Sequence, residues 1–393
     1  MPIRFILNFI KLEAAGGIIL FTAALIAIFI DNSPLSPYYE HLLEIPLSFH
    51  LGPWALSKHL LHWVNDGLMV FFFLLVGLEI KREILEGELN STAKVLLPGA
   101  AALGGMIFPA LIFVFFNFGH DIAMRGWAIP TATDIAFSLG IIFLLGSRVP
   151  ISLKIFLTAL AIFDDLGAII IIAIFYTAEL SAPALLLALI CVIGLLLLNG
   201  RNIRSLWPYL VLGALLWLFM LNSGVHATLA GVLLALFIPL KTRAPHDSYS
   251  PAKYLIQKIH PWVIYGVLPI FAFCNAGVSF DDLPHGFSNI FSPVMLGISL
   301  GLLIGKPIGV FCTTFFAIKL KLAQMPTNAN WGQLFGIALV CGVGFTMSFF
   351  VGALAYPAGI SSDPYETWVR LGVIFGSLAS GLMGFIVLRL STK

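Results

Sequence analysis

The stretch Leu157–Phe175, "LTALAIFDDLGAIIIIAIF", places two adjacent carboxylates inside an apolar run. Apart from Asp164 and Asp165, no residue from Ile155 to Ala178 is charged, and this run exceeds the ~20 apolar residues that a helix needs to cross a bilayer. A carboxylate at the centre of a membrane helix costs roughly 2.5 to 3.5 kcal/mol on insertion scales, and such residues usually mark an ion path, a proton relay or a counter-ion. The pair therefore predicts a membrane helix that carries function.

The composition of the whole chain agrees with this interpretation. Of its 393 residues, 60% are hydrophobic and 10% are charged, whereas a soluble domain has about 25% charged residues. The net charge of +2 offers no strongly basic surface for nucleic acid, and the four cysteines do not form a metal-binding pattern. We therefore predict an all-α membrane protein that forms one polytopic domain over residues 1–393. We expect no enzyme activity, no cofactor and no nucleic-acid partner.

Apolar runs separated by polar turns predict about twelve membrane spans. They lie near residues 13–30, 59–80, 95–117, 121–144, 150–175, 182–199, 205–220, 224–239, 254–277, 291–316, 328–354 and 364–388. With a cytoplasmic N-terminus, seventeen of the 21 lysine and arginine residues fall at the inner ends of spans or in inner loops. Because cytoplasmic loops are enriched in lysine and arginine, this distribution predicts that both termini are cytoplasmic.

Two of these spans are predicted to be broken. The fourth contains "AIPTATDIAFSLG" (128–140), in which Pro130 lacks an amide donor and the threonines offer competing hydrogen bonds. The eleventh contains "CGVGFTMSFF" (341–350), with Gly342 and Gly344 two residues apart. Unwound backbone at membrane depth persists only where it lines protein or a watery cavity, and its carbonyl groups can bind cations. The alternative is two ordinary helices, one kinked at proline and one packed through its glycines.

The positions of the two breaks follow a symmetric pattern. Spans 3–5 begin inside and spans 10–12 begin outside, and in each triplet the middle helix is the broken one. This arrangement is an inverted-topology repeat with two broken, crossing helices. Secondary transporters use such repeats, with the coupling-ion site near the midplane of the membrane.

A buried lysine accompanies the acidic pair. Lys306 lies inside the tenth span, in "LGLLIGKPIGVF" (300–311), and needs a carboxylate or helix C-termini nearby. Lys306 either carries a proton or compensates charge, since buried lysines readily change protonation state. Asp134, in the broken fourth span, either belongs to the ion site or neutralises the exposed N-termini of half-helices.

Five segments together resemble the NhaA-type sodium/proton antiporters. They are "VNDGLMVFFFLLVGLEIKREILEGEL" (64–89), "IPTATDIAFSLG" (129–140), "LAIFDDLGAIIIIAIFY" (160–176), "LNSGVHATLAGVLLA" (221–235) and "HPWVIYGVLPIFAFCNAGV" (260–278). The resemblance covers nearly the whole chain. It implies a cation site on Asp164 and Asp165, with Thr133 and Asp134 beside the crossing of the broken helices, and it matches Lys306 to the family's intramembrane lysine.

The same resemblance implies an activity and an assembly. The family exchanges one Na+ or Li+ for more than one H+, is activated at alkaline pH, and resides in the lipid of the bacterial cytoplasmic membrane. Residues 45–58, "IPLSFHLGPWALSK", alternate apolar residues around Gly52-Pro53, which predicts a hairpin on the outer face. In the family this hairpin joins the partners of a homodimer.

The chemistry of exchange also follows from the residues alone. Sodium is a hard cation that prefers oxygen ligands, and the fourth, fifth and eleventh spans supply carboxylate, hydroxyl and carbonyl oxygens. A proton can occupy the same oxygens, so the two ions compete for one site, and alternating exposure of that site converts competition into exchange. Adjacent residues on a helix point about 100° apart. We therefore expect Asp165 to bind the ion and Asp164 to pair with Lys306.

Other polar residues have two possible roles each. Asp66, in the second span, is either a rim residue or a step on the access path of the ion. Glu79 and Glu83, at the inner end of that span, either sense pH or form an ordinary solvated helix end with i,i+4 pairs. His226 is either a hydrogen-bonded packing histidine or a pH switch.

Two other protein classes fit parts of the pattern. A passive cation channel also needs buried acidic residues, but one buried lysine and the lack of a repeated acidic ring argue against it. Asp134 with Asp164 imitates the two carboxyls of an intramembrane aspartyl protease, although the sequence contexts of those proteases are absent.

Overall fold

The computed structural model describes residues 2–51, 54–87, 92–177, 180–240, 249–280, 291–357 and 364–391. Most of them are helical, as the apolar runs predict. The α-helices are α1 (Pro2–Asp31), α2 (Ser36–Glu44), α3 (Leu60–His62), α4 (Met69–Glu86), α5 (Thr92–Asn117), α6 (Asp121–Met124), α7 (Ile135–Leu144), α8 (Ile151–Phe175), α9 (Ala182–Gly200), α10 (Leu206–Leu221), α11 (Leu229–Phe237), α12 (Pro251–Trp262), α13 (Leu268–Asn275), α14 (Pro293–Leu300), α15 (Lys306–Lys319), α16 (Trp331–Val340), α17 (Phe345–Ala355) and α18 (Pro364–Ser391).

The described helices are long and apolar enough for a multi-pass membrane protein. Six segments could each cross a bilayer by length and composition, and three bent helix pairs raise the number to nine. The six are Val95–Asn117, Ile151–Phe175, Ala182–Gly200, Pro251–Asn275, Pro293–Lys319 and Tyr365–Ser391. The finer expectations of about twelve spans and of an inverted repeat stay predictions.

A sharp bend follows the first apolar helix. The segments Ala15–Asp31 and Ser36–Glu44 meet at 114°, whereas the sequence analysis ends the first span at residue 30 and predicts no helix after it. In α2, Tyr39 is 4% exposed, and its hydroxyl donates a hydrogen bond to the carbonyl of Phe273 at 2.6 Å. This tertiary contact fixes a short amphipathic helix that apolar periodicity over a long window does not detect.

Three helical runs contain π-helical turns that the sequence analysis treats as continuous helix. These turns are Trp63–Leu68, Val263–Val267 and Gly301–Gly305. Pro307 follows the last of them and has no amide hydrogen to donate within an α-helix, which favours a local change of hydrogen-bonding pattern. Lys306 is therefore the first residue of regular helix after a π-helical turn.

A two-stranded antiparallel sheet lies between α2 and α3. Strands β1 (Pro46–Leu51) and β2 (Trp54–His59) pair in a register that places Pro46 opposite His59 and Leu51 opposite Trp54. Across the strands, the hydroxyls of Ser48 and Ser57 lie 2.8 Å apart. Residues 52 and 53, at the predicted turn, lie outside the described residues. The predicted role of this hairpin in a homodimer stays a prediction.

The chain divides into two compact units. Unit 1 comprises Met1–Glu40, Ser91–Ala168 and Ala272–Lys393, and unit 2 comprises His41–Asn90 and Ile169–Phe271. In unit 1, α5 packs against α14 and α15, and α18 packs against α14 and α16. In unit 2, α4 packs against α11 and α12, and α10 packs against α9. The expectation of one polytopic domain over residues 1–393 stays a prediction.

Glycines bring α5 and α15 together in unit 1. A Cβ atom at Gly104 would collide with the carbonyl oxygen of Gly309, and a Cβ at Gly309 would collide with that of Gly104. Small residues at such a contact allow helix backbones to approach closely in a membrane. A Cβ at Gly105 would lie 3.7 Å from Cε of Lys306, so the stem of this lysine packs on the same small-residue surface.

Candidate functional site: the crossing of two broken helices

Two spans of unit 1 are broken at the places that the sequence predicts. In the first, Asp121–Thr131 and Ile135–Leu144 meet at 43°, and in the second, Trp331–Val340 and Phe345–Ala355 meet at 42°. The part before the first break ends in a 3-10 helix, Arg125–Thr131, which contains Pro130. Because proline cannot donate a backbone hydrogen bond, regular α-helix is disfavoured here.

The two breaks contact each other directly. The backbone amide of Asp134 donates to the carbonyl of Val343 at 2.7 Å, and the hydroxyl oxygen of Thr133 lies 2.9 Å from the carbonyl oxygen of Cys341. Each unwound segment thus supplies hydrogen-bond partners for the other, which removes the cost of unsatisfied backbone at membrane depth.

Buried hydroxyls satisfy the carbonyls at the end of α16. The carbonyl of Leu339 accepts from Ser380 at 2.7 Å, and that of Val340 accepts from Ser138 at 3.2 Å. Since these carbonyls already have donors, the carboxylates at the crossing are better candidates for an ion site than the carbonyls that the sequence analysis considered.

The carboxylate of Asp134 connects two helix N-termini. One oxygen accepts the amide of Phe137 at 3.0 Å, and the other accepts the amide and the hydroxyl of Thr346 at 3.1 and 2.6 Å. Both α7 and α17 begin here, and a negative charge is stabilising at helix N-termini. This geometry favours the charge-compensating role that the sequence analysis left open for Asp134.

Lys306 and Asp164 form a fully buried ion pair. Nζ of Lys306 lies 2.7 Å from Oδ2 of Asp164, and the exposure of both side chains is 0%. Thr133 donates to the same oxygen at 2.6 Å, and Lys306 also donates to the carbonyl of Thr131, at the end of the 3-10 helix. Two donors and one positive charge therefore converge on a single carboxylate oxygen.

The second carboxylate oxygen of Asp164, Oδ1, has different surroundings from Oδ2. Oδ1 is buried and has no hydrogen-bond partner among the described residues. Asp165, the next residue, is 2% exposed. A buried oxygen that accepts no hydrogen bond is unusual in proteins. It can accept a proton or bind a hard cation, which is the chemistry expected of an ion-exchange site.

A second set of predicted residues lies in unit 2. Asp66, in the first π-helical turn, forms an ion pair with Lys58 at 3.1 Å, and its other carboxylate oxygen lies 3.9 Å from Nε2 of His226. Nδ1 of His226 lies 3.0 Å from the hydroxyl of Thr228. The indole of Trp217 donates to the carbonyl of Asp66 at 3.0 Å. The structure thus brings Asp66 and His226 together, a relationship that the sequence analysis did not predict.

The charges near the end of α4 are paired rather than freely solvated. Arg82 forms an ion pair with Glu83 at 2.9 Å, with side-chain exposures of 18% and 17%. Lys253, on α12, forms an ion pair with Glu86. Glu79 is 9% exposed. The cluster is therefore paired and partly buried, and the role of Glu79 and Glu83 in sensing pH stays a prediction.

Lys81 caps the C-terminal end of the neighbouring helix α11. It lies after the last residue of the second predicted span (59–80), and its ammonium donates to the carbonyls of Leu236 and Ile238 at 2.7 and 2.6 Å. A cation suits the C-terminus of a helix such as α11. Burial nevertheless lowers the pKa of Lys81 to about 8, because desolvation disfavours the charged amine.

Sequence reasoning missed several buried hydroxyls that lie near the crossing. They include Ser138 on α7, Ser348 on α17, and Ser377 and Ser380 on α18. The two serines on α18 are fully buried and lie three residues apart, so they share one face of an apolar helix. Paired serines at this spacing are the signal that was available in the sequence.

Comparison with known proteins places these features in a family. Residues 7–388 match the family model described as Na+/H+ antiporter 1. The chain is 55% identical over 399 residues to a Na(+)/H(+) antiporter NhaA of Rhodospirillum rubrum, covering 100% of this chain and 99% of the relative. It is 51% identical over 387 residues to the NhaA of Pseudomonas putida strain GB-1, covering 98% and 97%.

A solved structure shows the same fold at low sequence identity. The sodium proton antiporter MjNhaP1 from Methanocaldococcus jannaschii, at pH 8, is similar with a TM-score of 0.54 and 18% identity, over 100% of this chain and 99% of that one. The family model and the relatives named NhaA confirm the resemblance to the NhaA type found in the sequence. The family model over residues 7–388 and the relatives at 55% and 51% identity show that the chain belongs to the Na+/H+ antiporter 1 family.

Proposed function

We propose that the chain exchanges Na+ or Li+ for more than one H+ across a bacterial cytoplasmic membrane. The observation that carries this proposal is the difference between the two carboxylate oxygens of Asp164. Lys306 and Thr133 hold Oδ2, while Oδ1 is buried and has no hydrogen-bond partner among the described residues. Such a carboxylate, next to Asp165, supplies oxygen atoms for which sodium and protons compete.

In this cycle, sodium binds Asp165 and the open oxygen of Asp164. The added positive charge displaces the proton held by Asp165 and weakens the pairing of Asp164 with Lys306, so that the lysine releases a second proton in a site that water does not screen. After the site is exposed to the other side, protons return to Lys306 and the carboxylates and displace sodium. Because more than one proton moves for each sodium, every cycle transfers net charge.

Alternating access requires that the crossing change its exposure without losing its hydrogen bonds. We propose about twelve spans, an inverted repeat of spans 3–5 and 10–12, and cytoplasmic termini, as the lysine and arginine distribution predicts. The backbone hydrogen bond from the amide of Asp134 to the carbonyl of Val343 supports joint movement of the two broken helices, because it links them directly. Labelling of single cysteines placed in predicted inner and outer loops of intact cells tests this orientation.

Control by pH is proposed for the charge clusters of unit 2. Asp66 with His226, and Glu79 with Glu83, are the candidates, because each set combines titratable groups with partial burial. For assembly, we propose a homodimer joined through the hairpin of β1 and β2. Deletion of residues 46–58 should convert the dimer to a monomer in light-scattering measurements of the protein in detergent. An unchanged mass would contradict this assembly.

The decisive experiment uses purified protein in proteoliposomes. Vesicles with an acidic interior contain a pH-sensitive dye, and Na+ or Li+ is then added outside. We expect sodium-dependent recovery of the dye fluorescence, together with an electrical current that reverses at a potential set by both ion gradients. Sodium flux without proton counterflow would instead support a passive cation channel. Cleavage of membrane peptides without any ion flux would support the aspartyl protease alternative.

A further inference from the structure

The half-helix α17 begins without a cap of its own. Its N-cap position is Gly344, which has no side chain to accept hydrogen bonds from the first amides of the helix. A Cβ at this position would collide with Oγ of Ser348 and would lie 2.9 Å from a methyl group of Leu302. Close packing at the crossing therefore requires glycine here, and it excludes the side chains that normally cap a helix.

Ser377, on α18, supplies the missing acceptor. Its hydroxyl oxygen accepts hydrogen bonds from the amides of Gly344 and Phe345, both at 3.2 Å. The next amide, that of Thr346, donates to Asp134. The first amides of α17 thus donate hydrogen bonds to two acceptors, a neutral hydroxyl oxygen from α18 and a carboxylate from the other broken span.

We propose that Ser377 is a positioning residue for ion exchange, because it caps α17 from a neighbouring helix and thereby holds Thr346 and Asp134 in place beside the ion site. This inference rests on the proposed exchange of sodium for protons. Ser377 does not touch the ion. It acts by neutralising two amide dipoles that would otherwise add positive potential at the crossing.

The groups that would respond to this potential are few. Within the part of the chain that the structure describes, the buried charged residues at the crossing are Asp134 at the start of α7, Asp164 and Asp165 on α8, and Lys306 at the start of α15. Neither α16 nor α17 contains a charged residue, and α18 has none between Arg370 and Arg389. A change at the N-terminus of α17 should therefore appear in the binding of protons and sodium by these groups.

Ser380 provides a matched control on the same helix. It is also fully buried, and its hydroxyl donates to the carbonyl of Leu339. That carbonyl also accepts the amide of Gly342 at 2.9 Å, so it keeps a partner when the serine is removed. Ser377→Ala and Ser380→Ala delete the same atom, but only the first leaves two amides without an acceptor.

The experiment measures sodium-driven proton exchange in proteoliposomes for the wild type, Ser377→Ala, Ser377→Thr and Ser380→Ala, as a function of pH and sodium. For Ser377→Ala we expect KM for sodium at alkaline pH to rise roughly tenfold, the size of a helix-terminus charge effect in a buried site. Its pH profile should move to lower pH by about one unit, because added positive potential also weakens proton binding. Ser377→Thr, which keeps the oxygen, should restore both values, and Ser380→Ala should lose thermal stability without either shift.

The possible results distinguish failure of the proposed function from failure of the inference about Ser377. If the wild type shows no exchange, both the proposed function and this inference are overturned. If the wild type exchanges ions but Ser377→Ala changes only the maximal rate or the thermal stability, the inference alone is overturned. Should Ser377→Ala fail to insert, Ser377→Cys, whose sulfur is a weaker acceptor, should show the same two shifts at smaller size, and unshifted values in that variant would overturn the inference.

Discussion

Nζ of Lys306 lies 2.7 Å from Oδ2 of Asp164, and both side chains are completely buried. Lys306 also donates to the carbonyl of Thr131, so the lysine faces an acid and a helix C-terminus at once. This position fits either of two roles. The lysine is a proton carrier that leaves Asp164 when sodium binds, or it is a fixed charge that balances the acid and the helix end.

Substitution of Lys306 by glutamine separates these roles. If the lysine carries a proton, Lys306→Gln should change the number of charges moved per sodium, because one titrating site is lost. Removing one partner of a buried pair typically costs about 3 to 5 kcal/mol of stability, so a lower melting temperature is expected in either case and does not discriminate. The measurement is the reversal potential at fixed sodium and pH gradients. An unchanged potential in an active variant would establish the fixed-charge role.

The acidic pair gives a second prediction. Asp164→Asn and Asp165→Asn should each abolish exchange, because an amide keeps the shape of the side chain but cannot take up and release a proton. The control is Glu366→Gln, since the side chain of Glu366 is 60% exposed and exposed ion pairs contribute little to stability. Transport should be measured beside membrane insertion and melting temperature. Exchange that persists in either asparagine variant would refute a shared site.

A third prediction concerns packing at the break after α16. A Cβ at Gly342 would collide with the carbonyl of Leu302 and with the hydroxyl of Ser380, whereas a Cβ at Gly200 meets no atom within 4 Å. Forcing an extra carbon into packed structure costs about 1 to 3 kcal/mol. Gly342→Ala should therefore lower both the melting temperature and the exchange rate, and Gly200→Ala should change neither. Equal melting temperatures for the two variants would show that the break relaxes freely.

The fourth prediction concerns pH and Lys81. Burial lowers the pKa of this lysine to about 8 from the ordinary value of 10.5. Between these two pH values the unfolded chain holds more protons than the folded one, so the free energy of unfolding should rise with pH in this window. In thermal unfolding in detergent, the melting temperature of the wild type relative to that of Lys81→Met should thus rise from pH 8 to pH 10.5. Parallel curves would mean that the carbonyl acceptors on α11 offset the desolvation of the amine.

The sequence alone determined the class of the protein and the positions of its breaks. Long apolar runs can satisfy their backbone hydrogen bonds in lipid only as helices, so composition and run length were sufficient to predict membrane helices. Pro130 and the closely spaced Gly342 and Gly344 act through their own backbone chemistry. Such effects are local, and two of the three bent pairs in the described structure lie where these residues predicted them.

Tertiary structure decided which polar groups meet. Ser377 lies 33 residues after Gly344 in the chain, and Asp134 lies 212 residues before Thr346, yet each pair shares a hydrogen bond. No periodicity links such positions, because a cap supplied from another helix depends on how the helices pack and not on the sequence around the capped end. The same holds for the contact of Asp66 with His226.

For Asp164 and Asp165, the sequence determined the depth in the membrane, and tertiary packing decided the hydrogen-bond partners. That Asp164 and Asp165 lie at membrane depth follows from the apolar residues around them, since burial there is a property of the whole run. Helical geometry required the two carboxylates to point in different directions. Only the packing of α15 and the two breaks around α8 decided that Oδ2 of Asp164 receives Lys306 and Thr133, because a buried charge is stable only where its neighbours supply an opposite charge and hydrogen bonds.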